Sequence, residues 1–174
     1  MYKIKINTSR LSLQPLGLKY LESTNAYASD LENTRYMVNL PSESKEEIIN
    51  FLSSVEEEWN SLNQKNYELA IILNNTHIGG ISLYIYDNKI GELGWIINKR
   101  YWKQGYATEA ARALMEYAIT ELGIKHFIAH CDSENVGSYS VMKSLGMVLK
   151  NKTLGRKNRV SDENRVGLEY EYVL

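Results

Sequence analysis

The sequence predicts an α+β chain in which helices flank one mixed, mostly antiparallel sheet. Three observations carry that prediction. Between 67 and 98, three apolar strand signals follow one another across tight polar turns, as in an antiparallel meander. A glycine turn then opens an amphipathic helix pattern over 107–122, and a buried-type strand, "KHFIAHC" (125–131), follows at once. Strand, helix and strand in that order make one parallel crossover, which should be right-handed. Finally, 174 residues fit a single domain, 1–174, with one sizeable core.

Each element has its own signal. "SRLSLQPL" (9–16) alternates and sets Leu11 and Leu13 on one face, so it reads as a strand. "LKYLESTNAYAS" (18–29) is short and helix-like. Ser42, Glu43 and Ser44 open "KEEIINFLSSVEEEWNSLNQK" (45–65), where Ile48, Leu52, Val55, Trp59 and Leu62 recur at helical steps. Glu46 and Glu47 suit the positive end of that helix dipole. "YELAIIL" (67–73), "HIGGISLYIY" (77–86) and "IGELGWIIN" (90–98) are the meander, turning at Asn74-Asn75 and Asp87-Asn88-Lys89.

In the helix 107–122, Ala110, Ala111, Leu114, Met115, Ala118, Ile119 and Leu122 form one stripe, and Gly123 stops it. "NVGSYSVMKSLG" (135–146) is a second short helix closed by Gly146. "MVLKNKT" (147–153) and "RVGLEYEYVL" (165–174) close the chain as strands. The polar run 151–165 reads as a mobile, solvated loop near which Lys150, Lys152, Arg156, Lys157 and Arg159 collect.

Composition excludes several classes. A formal net charge of −1 creates no global field for nucleic acid or anionic lipid. The longest apolar runs, such as "AIIL" (70–73), fall far short of the roughly 20 residues of a membrane span. "MYKIKINTSR" has no apolar h-region, so no signal peptide is expected. Cys131 is the one cysteine, which rules out an intrachain disulfide and a thiolate-cluster metal site. His126 and His130 lie four apart on a strand, roughly 13 Å, too far for one ion. No metal is expected, and the expected compartment is the cytoplasm.

The helix at 107 begins in an unusual way. A helix N-terminus leaves backbone N–H groups unpaired, and its dipole favours an anion. In "YWKQGYATEA" (101–110), Gly105 and Ala107 leave clearance, Thr108 adds a hydroxyl and Lys103 adds charge. The turn reads equally as an ordinary glycine-led helix start. Neither a P-loop spacing nor a three-glycine dinucleotide fingerprint is present.

This segment resembles the acetyl-coenzyme-A diphosphate loop of the GNAT superfamily of N-acetyltransferases. Gly105 and Ala107 hold its small positions, and Trp102 stands where Arg or Gln is usual. Its form is similar to the ribosomal-protein N-terminal acetyltransferase branch (RimJ/RimL-like). "TSRLSLQPL" (8–16), "GELGWII" (91–97) and "NVGSYSVMKSLGM" (135–147) resemble that branch too, in order, with Met147 replacing a Phe. The resemblance implies the acyl-CoA N-acyltransferase fold, a mostly antiparallel sheet splayed between its fourth and fifth strands (90–98 and 125–131), with about four helices. It also implies acetyl-CoA as co-substrate and transfer to an amine.

Residue roles follow from the resemblance. Lys103, Gln104, Gly105, Tyr106, Ala107 and Thr108 would hold the diphosphate. Ile96 and Ile97 would offer backbone groups to the pantetheine amides. Asn135 would bond the pantetheine arm or cap its own helix. Lys143 would meet a phosphate or simply face water.

Glu92 is the candidate base, or else a solvent-facing strand glutamate; burial would have to raise its pKa. Ser138, one turn after Asn135, is the candidate group for the departing thiolate, or an ordinary first-turn serine. The tyrosine many members place four residues beyond is here Met142.

The function read from these features is acetyl-CoA-dependent acetyl transfer to a ribosomal or other protein N-terminus, or to a small amine. The competing reading is a non-catalytic acyl-CoA sensor or protein-interaction module. An RNA-binding role through the 150–159 basic residues is weaker, because net charge is near zero and no aromatic–basic repeat exists. Abundant tyrosine and the terminal "EYEYVL" permit a homodimer.

Overall fold

The computed structural model describes residues 4–174. Its strands are β1 (Ile6–Asn7), β2 (Leu11–Pro15), β3 (Asn66–Leu73), β4 (Thr76–Ile85), β5 (Ile90–Ile97), β6 (His126–Asp132), β7 (Val148–Arg156) and β8 (Arg165–Val173). Its helices are α1 (Leu21–Ala28), α2 (Lys45–Glu58), α3 (Tyr106–Glu121) and α4 (Val136–Ser144). The strands form one sheet in the order β1-β2-β3-β4-β5-β6-β8-β7. Every neighbouring pair is antiparallel except β5 and β6, which are parallel as the crossover predicts. The short β1 was not read from the sequence, so the splayed pair counts as fifth and sixth.

Two apolar layers sandwich the sheet. On one face Leu11, Leu13, Leu69, Ile71, Leu83, Leu93 and Phe127 pack with Ala110, Ala111, Leu114 and Ala118 of α3. On the other, Leu16, Ala70 and Ile72 pack with Tyr27 and Ala28 of α1 and with Ile48, Leu52 and Val55 of α2. Strand β3 is therefore apolar on both faces, which explains why "AIIL" does not alternate. The second layer covers β2 to β4. On that same face β6 and β8 carry polar groups, since His130 pairs in register with Glu169 and Ile128 with Glu171.

Local chemistry sets the boundaries. Ser44 caps α2 by accepting from the Glu47 amide at 3.2 Å. The helix ends at Glu58, earlier than the periodicity through Leu62 predicts, and Leu62 is fully exposed. The Glu58 carboxylate instead accepts from the Lys65 and Asn66 amides at 2.7 and 3.2 Å, turning the chain into β3. Gly123 stops α3 at φ +67°.

The expected mobile loop over 151–165 is corrected. β7 runs on to Arg156, and the connection after it is pinned. The buried Asn158 side chain donates to the Thr34, Met37 and Leu40 carbonyls at 2.8, 2.8 and 2.9 Å. Arg159 pairs with Glu47 and Lys150 with Glu171, each at 2.7 Å, so these two basic residues are paired and not part of an open cationic patch. Among the described residues, no helix is long and apolar enough to cross a membrane.

Candidate active site

The site begins where β5 and β6 part. Their parallel pairing covers only Ile90–Leu93 against His126–Ala129, although β5 continues to Ile97 and β6 to Asp132. A cavity of about 810 Å³ opens in the gap. Its walls come from the end of β5, the turn before α3, the start of α4, His130 and Cys131 of β6, and the segment around Tyr36.

The diphosphate turn has the geometry its residue types suggest. Lys103 lies at φ +60° and Gly105 at φ +80°, and Gly105 is the N-cap of α3 without any side-chain cap. The caps of α2 and α4, by contrast, are supplied by Ser44 and Asn135. The first-turn amides of Tyr106, Ala107 and Thr108 therefore have no side chain closing them off, and these residues line the cavity. Glu109 would oppose an anion there. Its carboxylate is instead held by Thr8 (2.5 Å), Ser9 (3.1 Å) and Arg10 (2.6 Å). Arg10 also donates to the Gln104 carbonyl at 2.9 Å and lies 4.5 Å from the Tyr106 ring centroid, bracing the turn from outside. Sequence reading missed Arg10, because its partners lie about a hundred residues away.

The other expected contacts sort by register. Asn98 donates to Ile78, so even-numbered β5 residues turn their backbone groups toward β4 and odd-numbered ones toward the gap. Ile96 is thereby corrected: it lines the cavity by side chain, while Trp95 and Ile97 present backbone groups to it. The Ile97 carbonyl already accepts from Trp102 Nε1 at 2.7 Å and Asn33 Nδ2 at 3.1 Å, which leaves its N–H. Trp102, the departure from the usual loop, thus ties the turn to β5.

Asn135 lines the cavity and caps α4 through the Ser138 amide at 3.1 Å. Ser138 lines it too, within reach of Cys131, whose thiol burial pushes up to about 11. Met142 is fully buried. Gln104 and Lys143 fall outside the lining; Lys143 is exposed over the Tyr139 ring at 5.1 Å.

Glu92 sits just below the gap in a hydrogen-bonded chain. Its carboxylate accepts from the Tyr86 hydroxyl at 2.5 Å and meets His130 Nδ1 at 2.9 Å. His130 Nε2 meets Glu169 at 2.9 Å. Both ring nitrogens face carboxylates, so both bonds are satisfied when the ring carries two protons. The His130 contact holds Glu92 below the usual carboxylate range, contrary to the expected rise, and Glu92 holds His130 above its ordinary value. His130 lines the cavity and Glu92 does not. No local signal marked His130: it shares Glu92's face because Glu92 pairs with Ile128, two residues before it. Among the described residues, no group of three or more His, Cys, Asp or Glu side chains could hold a metal ion.

Comparison with known proteins gives a consistent answer. The family model for the acetyltransferase (GNAT) domain matches residues 10–148. The chain is 31% identical over 145 residues to the uncharacterized N-acetyltransferase YnaD of Bacillus subtilis, covering 82% of this chain and 81% of that protein. The crystal structure of a GNAT-family acetyltransferase from Bacillus anthracis superimposes with a TM-score of 0.80 at 27% identity, over 98% of each chain. RimL, a ribosomal L7/L12 α-N-protein acetyltransferase solved with coenzyme A, shares the fold at a TM-score of 0.84 and 18% identity, over 98% of each chain.

Proposed function

The chain belongs to the GNAT family of acetyltransferases, and from that premise we propose that it moves the acetyl group of acetyl-CoA to a primary amine by direct attack in a ternary complex. The amine is a protein N-terminal α-amine, as in the RimJ/RimL-like branch, or a small-molecule amine. The observation that carries the reading is the uncapped first turn of α3 opening into a cavity that reaches His130 through the strand gap. Lys103 and the amides from Gly105 to Thr108 hold the diphosphate, and the Trp95 and Ile97 backbone groups meet the pantetheine. An N–H on that edge also polarises the thioester carbonyl.

The chemistry needs a neutral amine. An α-amine, with a reference pKa of about 7.7–8.0, loses its proton far more readily than a lysine side chain. In this reading the neutral form of His130 takes the proton at Nε2, freed from Glu169 by the incoming amine while Glu92 holds the Nδ1–H, and the raised His130 pKa brings the base toward that of the amine. The amine nitrogen bonds to the carbonyl carbon, the carbon–sulfur bond breaks, and Ser138 supplies a hydrogen bond or proton to the thiolate.

Glu92→Gln is expected to lower kcat by about tenfold or more with acetyl-CoA affinity unchanged, since the base loses its orienting partner. The acidic limb of the kcat/KM profile should also move to lower pH, because His130 loses the carboxylate that raises its pKa. An unaltered rate and limb would eliminate the pair. Ser138→Ala is expected to slow transfer by about threefold to tenfold, the worth of one hydrogen bond to a developing charge. Equal kcat in both forms would remove Ser138 from the mechanism. An amine screen with acetyl-CoA and mass-spectrometric detection tests the whole reading; coenzyme A binding without acetylation of any amine would mean a sensor.

A further inference from the structure

We infer that the acceptor carries an anionic group, carboxylate or phosphate, close to its amine, and that Arg156 receives it; the inference rests on the proposed acetyl transfer. Arg156 ends β7 and lines the cavity, with its side chain only 19% exposed. Its Nε is buried and finds no hydrogen-bond partner among the described residues. Its Nη2 reaches only the Tyr36 carbonyl, at 3.4 Å. A guanidinium presents five N–H donors and a full positive charge, so the unpartnered Nε is an open site for an anion.

The neighbouring carboxylate does not neutralise it. Asp132, itself 1% exposed, is taken at 2.7 Å by Arg165, and the Arg156 Nε lies 4.0 Å from the same oxygen. Arg165 has a second carboxylate in Glu163 at 2.6 Å, whereas Arg156 has none. A half-buried cation with so weak a partner gains when an anion arrives. That is the condition of a specificity residue, not of a structural ion pair.

Position selects the acceptor over acetyl-CoA as the source of the anion. The cradle for the diphosphate is at the start of α3 and has its own cation, Lys103. Arg156 instead lies across β8 at Gly167: a Cβ there would stand 3.8 Å from the Arg156 Cβ and 3.7 Å from its Cδ. Gly167 pairs with Asp132, and Glu169 pairs with His130. The guanidinium stem thus lies one pleat along the sheet, about 7 Å, and one strand across, about 5 Å, from the proposed base. An amine at His130 and an anion at Arg156 therefore belong to one small molecule or terminus with the two groups a few bonds apart, as in an α-amino acid or an aminoalkyl phosphate.

The test uses the full chain with matched acceptors: amino acids against their primary amides, and phosphoethanolamine against ethanolamine. The anionic member of a pair should win in kcat/KM by about tenfold or more, the effect lying in KM. Whichever pair shows it identifies the anion. Arg156→Met should abolish the preference, Arg156→Lys should keep part of it, and coenzyme A affinity should stay within about twofold. Equal use of both members by the wild type would overturn the inference, as would an Arg156→Met variant that weakens coenzyme A as much as the acceptor. If no amine is acetylated, calorimetry on the coenzyme A complex separates the two claims. Heat from the anionic members alone, lost in Arg156→Met, upholds the anion site and sinks the transfer reading; no such heat overturns the anion site itself.

Discussion

Gly105→Val is expected to weaken coenzyme A binding about a hundredfold, measured by titration calorimetry, while the protein still folds. Two effects add. At φ +80° a β-branched residue strains the backbone, costing about 1–2 kcal/mol, and relief of that strain turns the following amides away from a common centre. The new side chain also stands where a diphosphate must approach the backbone. The protein itself has room: a Cβ at Gly105 would meet only Arg10 Nη2, at 3.4 Å. The loss should therefore fall on the ligand far more than on the melting transition. Gly105→Asn separates the two effects, because asparagine tolerates the left-handed conformation. It should fold like the wild type and still bind more weakly. Undiminished affinity in both variants would mean that the turn does not grip the diphosphate.

What could be read ahead of the structure was whatever local pattern encodes. The meander, the parallel crossover and the helix led by Gly105 all rest on patterns between elements adjacent in the chain, and the pairings and the helix start stand as expected. The misreadings are long-range. Whether Ile96 or Trp95 presents backbone to the gap depends on which β5 residues bond to β4, and only register decides that. Glu92 was read either as a base whose pKa burial would have to raise or as a solvent-facing strand glutamate. Pairing of β4, β5 and β6 places Tyr86 and His130 against it and reverses the direction. Arg10, Asn158 and Arg156 are polar residues in polar stretches, and their roles come from partners roughly 100 to 120 positions away. Leu62 shows the opposite failure, a helical period that continued after Glu58 had already ended the helix.

Glu68→Gln is expected to stabilise the protein at pH 8 and to do nothing at pH 4. Glu68 lies on β3, on the face of Ala70 and Ile72 under the second apolar layer. Among the described residues no Lys, Arg or His forms an ion pair with it, and burial pushes its pKa to about 7 from 4.5. Between those values the unfolded chain has released the proton and the folded chain keeps it. The folded state binds more protons there, so stability falls as pH rises through the window and the loss is complete above about pH 7. The shift corresponds to about 3 kcal/mol. His77 works in the reverse sense on the same side of the sheet. Its Nδ1 meets Ser23 at 2.6 Å, its Nε2 meets the Gly79 carbonyl at 2.8 Å, and burial lowers its pKa to about 4. Stability from His77 is therefore lost as pH falls from 6.5 toward 4. In the wild type the two nearly cancel across the overlap, which would hide both in a single curve. The difference between Glu68→Gln and wild type removes the His77 contribution, so urea unfolding from pH 4 to 8.5 should show it rising through the window to about 3 kcal/mol. A difference that stays flat with pH would mean that Glu68 ionises at its ordinary value and that the strand beneath α2 is wetter than its packing implies.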